Sequence, residues 1–298
     1  MIRKAFKILQ FKLLKILYRN SPKKWADFLY RYKFNKKLDW DNPKDINEKI
    51  NWLKFNHDTT RWTELADKYR VREYVESLGY GEFLPKLYGK WDRAEDIEWD
   101  KLPKKFVMKV NNGSGDVLLC ENKDELDKKQ VMKNMNRLMK TKFGYRMAEP
   151  HYNSIIPCII AEEYLDPKKQ AVPSERLTDY KVWVLNGNPE YILVCSDRTK
   201  EGICRTIYDT QWKMYPQYTL KKGHSTTTDK PIPCPKCLNK MLEMAAKLSN
   251  DEPQVRADFY EVDGKPYIGE LTFTSLGGFH DNYSQEFLNI LGDKCHLS

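Results

Sequence analysis

The chain has 298 residues, 41% of them apolar and 31% charged, with a formal net charge of +9. That length can bury a core and fits two lobes better than one compact sheet. The charge is uneven: residues 1–39 hold 12 Lys and Arg against 2 Asp, leaving 39 basic and 40 acidic residues elsewhere. Positive charge confined to one end argues against a nucleic-acid enzyme, which spreads it over the folded body.

The basic end, MIRKAFKILQFKLLKILYRN, is too interrupted by Lys7, Lys12 and Lys15 to cross a membrane or to serve as a signal-peptide core. Wound as a helix, it gathers Ile2, Ala5, Phe6, Leu9, Leu13, Ile16 and Leu17 on one arc. Arg3, Lys4, Lys7, Lys12, Lys15 and Arg19 face the other way, as in a basic interfacial helix at a membrane surface. A helix packed on the protein's own body is the alternative. Seven scattered cysteines without a secretory signal point to free thiols and a cytoplasmic setting. Cys234 and Cys237 have zinc-knuckle spacing with no second pair at a suitable distance; Cys295 and His296 are the candidates to complete a site, but a loop ahead of a helix is favoured.

Helices are expected around SPKKWADFLYRYKF, then in DNPKDINEKINWLKF, with Pro43 in the first turn and Ile46, Ile50 and Leu53 buried. A third follows in LADKYRVREYVESLGYG, with Val71, Tyr74, Val75 and Leu78 inward and Gly79 as its stop. From Phe106 onward the chain is rich in short strands: FVMKV, DVLLC, CIIAEEYL, DYKVWVL, EYILVC and CRTIYD. Helices near 123–142 and 236–249 interrupt them. Strands outnumber crossover helices, so the class is α+β with antiparallel sheets rather than a doubly wound nucleotide fold.

Two stretches carry chemistry. In KFVMKVNNGSGDVLLCEN, a loop of Gly113, Ser114 and Gly115 between strands lets backbone amides approach an anion, with Lys109 at the loop's mouth; taken alone, a plain hairpin is the alternative. It matches neither the Gly-Lys-Ser/Thr loop nor the dinucleotide fingerprint, and no kinase catalytic loop is present. In VRADFYEVDGKPYIGELTF, Asp258 and Glu270 lie on the two arms of a hairpin. A two-residue loop, Asp263-Gly264, would put them on opposite faces. A three-residue loop ending at Lys265 would make them cross-strand neighbours, with Cβ atoms about 5 Å apart. The three-residue loop is favoured, since two facing carboxylates suit a hard cation. Without the ion they would repel, so neutralising either should leave stability unchanged or raised. Glu261, outside the pair, is expected to be dispensable.

The stretches ADKYRVREYVESLGYGEFLP, FVMKVNNGSGD, IIAEEYLD, DYKVWVLNG and VRADFYEVDGKPYIGEL stand in the order and spacing of the ATP-grasp superfamily. DNPKDINEKINWLKFN, LADKYRVREYV and GELTFT resemble more closely its TupA-like, teichuronopeptide-biosynthesis branch. The resemblance runs from about residue 38 to 280. It implies an ATP-grasp fold, two lobes with antiparallel sheets and ATP between them. The divisions would be 1–37, a basic N-terminal helical segment; 38–100, a helical pre-grasp region; 101–160, an N-lobe with the glycine-rich flap; and 161–298, a C-lobe with the metal site.

Residue by residue, the resemblance implies that Lys68 and Lys109 contact the ATP phosphates while Gly113, Ser114 and Gly115 form the flap. Glu162, Glu163, Tyr164 and Leu165 would be the hinge, where backbone groups of Glu163 and Leu165 read adenine. Asp179 and Lys181 would lie near phosphate or acyl phosphate, Arg198 and Arg205 near the reacting carboxylate, and Arg256 on the transferred phosphoryl group. Asp258, Glu270 and Thr272 would hold Mg²⁺. Most of the superfamily has Asn where Thr272 stands; a hydroxyl is the poorer ligand, and the TupA-like branch is similar in having Thr there. The implied activity is an ATP-dependent carboxylate–amine ligase in cell-surface polysaccharide synthesis. It would join a small-molecule amine, such as an amino acid, to a carboxylate-bearing glycan or uronic acid, with a membrane surface as a further partner and no nucleic acid. The rival classes are an ATP-grasp sugar kinase and a non-catalytic membrane-associated scaffold.

Overall fold

A computed structural model describes residues 21–297 except 116, 173 and 200, together with 13, 16 and 17. The N-terminal helix expected over residues 1–20 therefore lies almost wholly outside the described residues. The helical region opens with α1 (Pro22–Phe34), capped by Ser21 and ended by Asn35 in the left-handed conformation. Next comes α2 (Ile46–Asn56), whose N-cap carboxylate Asp45 accepts from Glu48 N at 3.1 Å. Pro43 thus precedes the helix instead of lying in its first turn, since Asp45 offers the better cap. Two short helices follow, α3 (Thr60–Leu65) and α4 (Val71–Ser77). Gly79 ends the latter region at φ 80°, but Leu78 is 37% exposed rather than inward.

The first sheet combines β1 (Leu87–Trp91), β2 (Phe106–Val110), β3 (Val117–Cys120) and, after α5 (Lys128–Met139) and α6 (Pro150–Asn153), β4 (Ile159–Glu163). Their spatial order is β1-β4-β2-β3, all antiparallel. Alternation along β2 decides its two faces. Phe106, Met108 and Val110 are buried in a core with Val131, Met135 and Leu138 of α5. Val107 and Lys109 point the other way.

The second sheet holds β5 (Asp179–Leu185), β6 (Asn188–Ser196), β7 (Ile203–Asp209), β8 (Met214–Tyr215) and β9 (Ser225–Thr226). After α7 (Leu238–Leu248) it is completed by β10 (Gln254–Val262) and β11 (Lys265–Thr272). Its order is β11-β10-β5-β6-β7-β8, with β9 parallel to β7. One face packs Val182, Ile192, Ala257 and Phe259 against Met241, Met244 and Leu248 of α7. On the other, Trp183, Leu185, Leu193 and Ile207 meet Ile46 and Ile50 of α2 and Phe287 and Leu291 of α8 (Gln285–Lys294). The second face turns polar towards β10 and β11, where the hairpin carboxylates lie.

Candidate active site

The hairpin loop has two residues, not three: Val262 pairs with Lys265, and Asp263 and Gly264 take φ of 53° and 74°, as a primed turn requires. That register alone would have separated the carboxylates. A bulge restores them: Phe259 pairs with Ile268 but Asp258 pairs with Glu270, leaving Gly269 as the extra residue. A Cβ on Gly269 would approach Asp258 O to 3.2 Å and the Tyr260 ring to 3.1 Å, so the bulge sits where a side chain would crowd its neighbours. Asp258 and Glu270 are direct cross-strand neighbours, by a route other than the expected one.

Strand pairing extends that row. Glu270 stands opposite Asp258, Asp258 opposite Lys181, and Lys181 opposite Leu193. One same-face row holds Thr272 and Arg256 with Trp183; the other holds Asp179, Cys195 and Arg205. The period of two thus places Arg256, Asp258, Glu270, Thr272, Lys181, Asp179 and Arg205 on one face of one sheet. Arg256 donates Nε to Asp258 Oδ1 at 2.6 Å, Nη2 to Asp258 Oδ2 at 2.7 Å, and Nη1 to the Ser275 hydroxyl at 2.6 Å. Its Nη2 also approaches Thr272 Oγ1 at 3.3 Å and Glu270 Oε1 at 3.7 Å. Lys181 bonds Asp258 Oδ2 and reaches Asp179 Oδ1 at 3.1 Å. Arg198 donates to Asp179 Oδ2 at 2.5 Å. Arg205 donates to the Ser225 hydroxyl at 2.5 Å and not to a carboxylate of the row.

Asp258 is 1% exposed and lies under buried Arg256 and part-buried Lys181. The expected repulsion between facing carboxylates is therefore absent, because Arg256 and Lys181 neutralise the pair. Burial alone would raise the Glu270 carboxyl, but Lys68, Lys181 and Arg256 hold it down at about 2. Burial would lower the Lys181 ammonium, and the Asp258 and Asp179 carboxylates more than reverse that.

The first sheet supplies the facing half. Lys109 ion-pairs with Glu162, which also accepts from Arg72 Nη1 at 3.1 Å; Glu162 is 5% exposed. Val117 and Leu119, on the same face as Lys109 by their pairing, are 44% and 38% exposed. That is an apolar surface beside a cation. The base of the glycine loop is fixed by buried Asn111, which accepts from Cys158 N at 2.8 Å and donates to Ile156 O at 3.0 Å. Lys68, in the turn before α4, joins the halves: its Nζ donates to Gly113 O at 2.6 Å and lies 3.3 Å from Glu270 Oε2. Gly113 is part-buried, whereas Ser114 and Gly115 are exposed, Gly115 at φ 94°. In the stretch expected to be the hinge, Glu163 N donates to Lys86 O at 2.9 Å. Any base contact by Glu163 backbone thus falls to its carbonyl. Tyr164 bonds Glu121 at 3.3 Å, and Leu165 is buried.

The chain matches a known family over most of its length: the family described as TupA-like ATPgrasp covers residues 48–296. The chain belongs to that family. Its α+β architecture, with two sheets facing one another across Lys68, is the expected ATP-grasp fold. Among solved structures, this TupA-like chain resembles D-alanine–D-alanine ligase from Bacillus anthracis complexed with ATP at 14% identity, over 70% of this chain and 54% of that one, TM-score 0.40. It also resembles D-alanine–D-alanine ligase from Helicobacter pylori at 13% identity, over 84% and 67%, TM-score 0.43. A third is N5-carboxyaminoimidazole ribonucleotide synthetase from Thermus thermophilus at 12% identity, over 76% and 51%, TM-score 0.42. The chain spans a little over half the length of the first solved structures it matches. No curated protein matches it.

Sequence reasoning missed several polar residues of this TupA-like chain. Arg72 and Ser275 were not singled out, nor were the buried polar residues Asn47, Asn51 and Lys54 of α2. Asn and Lys on an apolar helix face were the signal for the last three. The zinc reading has no support among the described residues, where no group of three metal-ligating side chains occurs. Cys237 instead donates its thiol to Glu261 at 2.9 Å, and Cys295 is buried in the α2–α8 core.

Proposed function

We propose that this chain is an ATP-dependent carboxylate–amine ligase. The observation that carries the reading is Lys68, which ties the glycine loop of one sheet to Glu270 of the other and so brings a phosphate-type loop against paired carboxylates. Six cations (Lys68, Arg72, Lys109, Lys181, Arg198 and Arg256) meet four carboxylates (Glu162, Asp179, Asp258 and Glu270) in this cleft. That excess of positive charge suits a polyanion.

ATP would lie with its triphosphate against Lys68, Lys109 and the Gly113–Ser114–Gly115 loop. Its adenine would rest on Val117 and Leu119, with the Glu163 carbonyl, Tyr164 and Leu165 at the edge. Glu270, 29% exposed at its side chain and only loosely contacted, fits a cation ligand. Asp258 fits as the inner partner once Lys181 gives up its bond, with Thr272 beside them. Bound there, Mg²⁺ supplies positive charge against the phosphate oxygens. Arg256, held by Asp258 and Ser275, would face the transferring phosphoryl group, and Lys181 would follow the charge as it moves. Asp179 orients Lys181 and Arg198, and Arg198 with Arg205 would receive the substrate carboxylate. That carboxylate takes the phosphoryl group to become an acyl phosphate, with ADP leaving. The amine nitrogen then attacks the acyl carbon, phosphate leaves, and the nitrogen loses a proton to give the amide.

The substrate class we infer is an amino acid with a uronic acid or glycan carboxylate, in cell-surface polysaccharide synthesis at the inner face of a membrane. Leu13, Ile16 and Leu17 are 59%, 58% and 42% exposed in a segment whose charges are all basic, which supports a peripheral surface contact. No helix among the described residues is long and apolar enough to cross a membrane. The test is ADP release over amino acids paired with uronic acids, with hydroxylamine present. Hydroxamate formation supports the ligase. ADP release with a sugar and no hydroxamate would make it a kinase, and ATP binding without turnover a scaffold.

A further inference from the structure

Helix α2 carries polar side chains on the face that packs into the protein. Ile46, Ile50 and Leu53 are fully buried there, as expected, but Asn47, Asn51 and Lys54 are only 1%, 0% and 3% exposed. Spaced i, i+4 and i+7, they form one ladder along the helix. All three donate to a single short segment. Asn47 Nδ2 donates to His280 O at 2.9 Å, and its Oδ1 accepts from His280 N at 2.7 Å. Asn51 Nδ2 donates to Gly278 O at 2.8 Å, and Lys54 Nζ to Gly277 O at 2.9 Å. Buried amides and ammonium groups are costly unless they are bonded in this way, so an apolar face would have packed more cheaply.

The segment they hold, residues 274–280, leaves the end of β11 directly after Glu270 and Thr272. Its backbone runs through three consecutive left-handed residues, Leu276, Gly277 and Gly278, at φ 47°, 65° and 75°. The two glycines take this conformation freely, but Leu276 does not, and a non-glycine residue persists there only where its surroundings over-determine it. A Cβ on Gly278 would lie 2.7 Å from Asn51 Nδ2, so the helix amide is seated hard against the turn. Lys54 Nζ also donates to Met147 O at 3.1 Å, and Thr274 donates to Glu149 Oε1 at 2.6 Å, which grips the segment from a second side. At its start stands Ser275, whose hydroxyl accepts from Arg256 Nη1 at 2.6 Å. Among the described residues, every other side-chain contact of Arg256 given above comes from its own hairpin.

We propose that Asn47, Asn51 and Lys54 are positioning residues for phosphoryl transfer: they shape the 274–280 segment so that Ser275 fixes the Arg256 guanidinium between Asp258 and Glu270. The inference rests on the reading of Arg256 as the residue facing the transferring group. It assigns a role in catalysis to a helix that carries none of the residues proposed to hold nucleotide or metal.

The test uses the full chain and the variants Asn51→Ala, Ser275→Ala and their double, with kcat and KM for ATP read from ADP release. Each single variant should lower kcat about ten-fold while KM for ATP stays within about two-fold. The double should be no slower than the slower single, because both act through one chain of contacts. Leu248→Ala, at the end of α7 and buried in the core on the opposite face of the second sheet, should lose melting temperature with kcat nearly unchanged. Lys54→Met, which keeps the stem and removes the donor, repeats the test should Asn51→Ala fail to fold. Multiplicative losses in the double variant, or wild-type kcat in Asn51→Ala, would overturn the proposal. A second readout is proton exchange of Arg256 Nε–H by NMR, which should quicken in Asn51→Ala and in Ser275→Ala. Unchanged exchange would also overturn it. If the wild type releases no ADP with any acceptor, the ligase reading fails, while the exchange measurement still decides this one.

Discussion

Replacing Asp258 by Asn tests how the site is held together before any ligand binds. The carboxylate is 1% exposed; it accepts from Arg256 Nε and Nη2 at 2.6 and 2.7 Å and also bonds Lys181. Asparagine keeps the size but loses the charge, and it points an NH₂ group at donors. Arg256 would keep Ser275 and a distant Glu270, and Lys181 would keep Asp179 at 3.1 Å. Removing one partner of a buried ion pair costs about 3–5 kcal/mol, because a desolvated charge is left behind. In a chain of this size that lowers the melting temperature on the order of 10 °C. Thermal unfolding of the ligand-free protein by circular dichroism measures it, with Glu270→Gln as the comparison. Glu270 has longer contacts, 3.3 Å to Lys68, 3.5 Å to the Thr272 hydroxyl and 3.7 Å to Arg256, and should cost markedly less. A melting temperature for Asp258→Asn within about 2 °C of wild type would refute the reasoning, and would restore the simpler view in which two carboxylates await a cation. Glu261 is no neutral control here: it is 3% exposed and accepts from Cys237 N at 3.0 Å, so its loss disturbs the start of α7.

Lys68→Ala and Lys109→Ala should each weaken ATP binding by about 1.5–3 kcal/mol, the range for a bond to a charged group; unchanged affinity by calorimetry in both would remove the phosphate assignment. Glu270 is held at about 2, below its ordinary value near 4.5. Its ionised form therefore contributes stability above about pH 4.5 that is lost as pH falls towards 2, and Glu270→Gln should flatten that acid limb in urea titrations. Burial presses His151 and His280 down to about 3, so both should stay neutral in the fold, with NMR ring shifts that do not move between pH 8 and 5. Their contribution is complete above the ordinary histidine value near 6.5 and lost as pH falls from there towards 3. Ring shifts titrating near pH 6.5 would contradict their burial. Deleting residues 1–20 should leave ADP release intact and reduce binding to anionic vesicles, since each Lys or Arg at such a surface contributes about 1 kcal/mol. Unfolding of the truncated chain would instead make that segment part of the body.

Period and punctuation made much of this chain legible. The run DYKVWVL is β5 to the residue, and Ile46, Ile50 and Leu53 are the buried stripe of α2, because alternation and helical spacing are local properties. The shared faces were legible too: once β10 and β5 are strands, Arg256 and Asp258, and Asp179 and Lys181, must each point to one side. What joins those pairs was not. The hairpin's turn chemistry predicts a register that separates Asp258 from Glu270, and one unpaired glycine reverses it. A bulge is a one-residue decision made by packing on both sides of a strand. Nor does any local pattern announce that Lys68 spans from Gly113 to Glu270. The same holds for Lys54, which meets a carbonyl 223 residues away. By itself the sequence determined which side chains each element presents and to which face. Only the tertiary structure decided which elements meet, and so which charges are neutralised and which are left for a ligand. Long-range contacts follow from the packing of whole faces, and that is not written into any one segment.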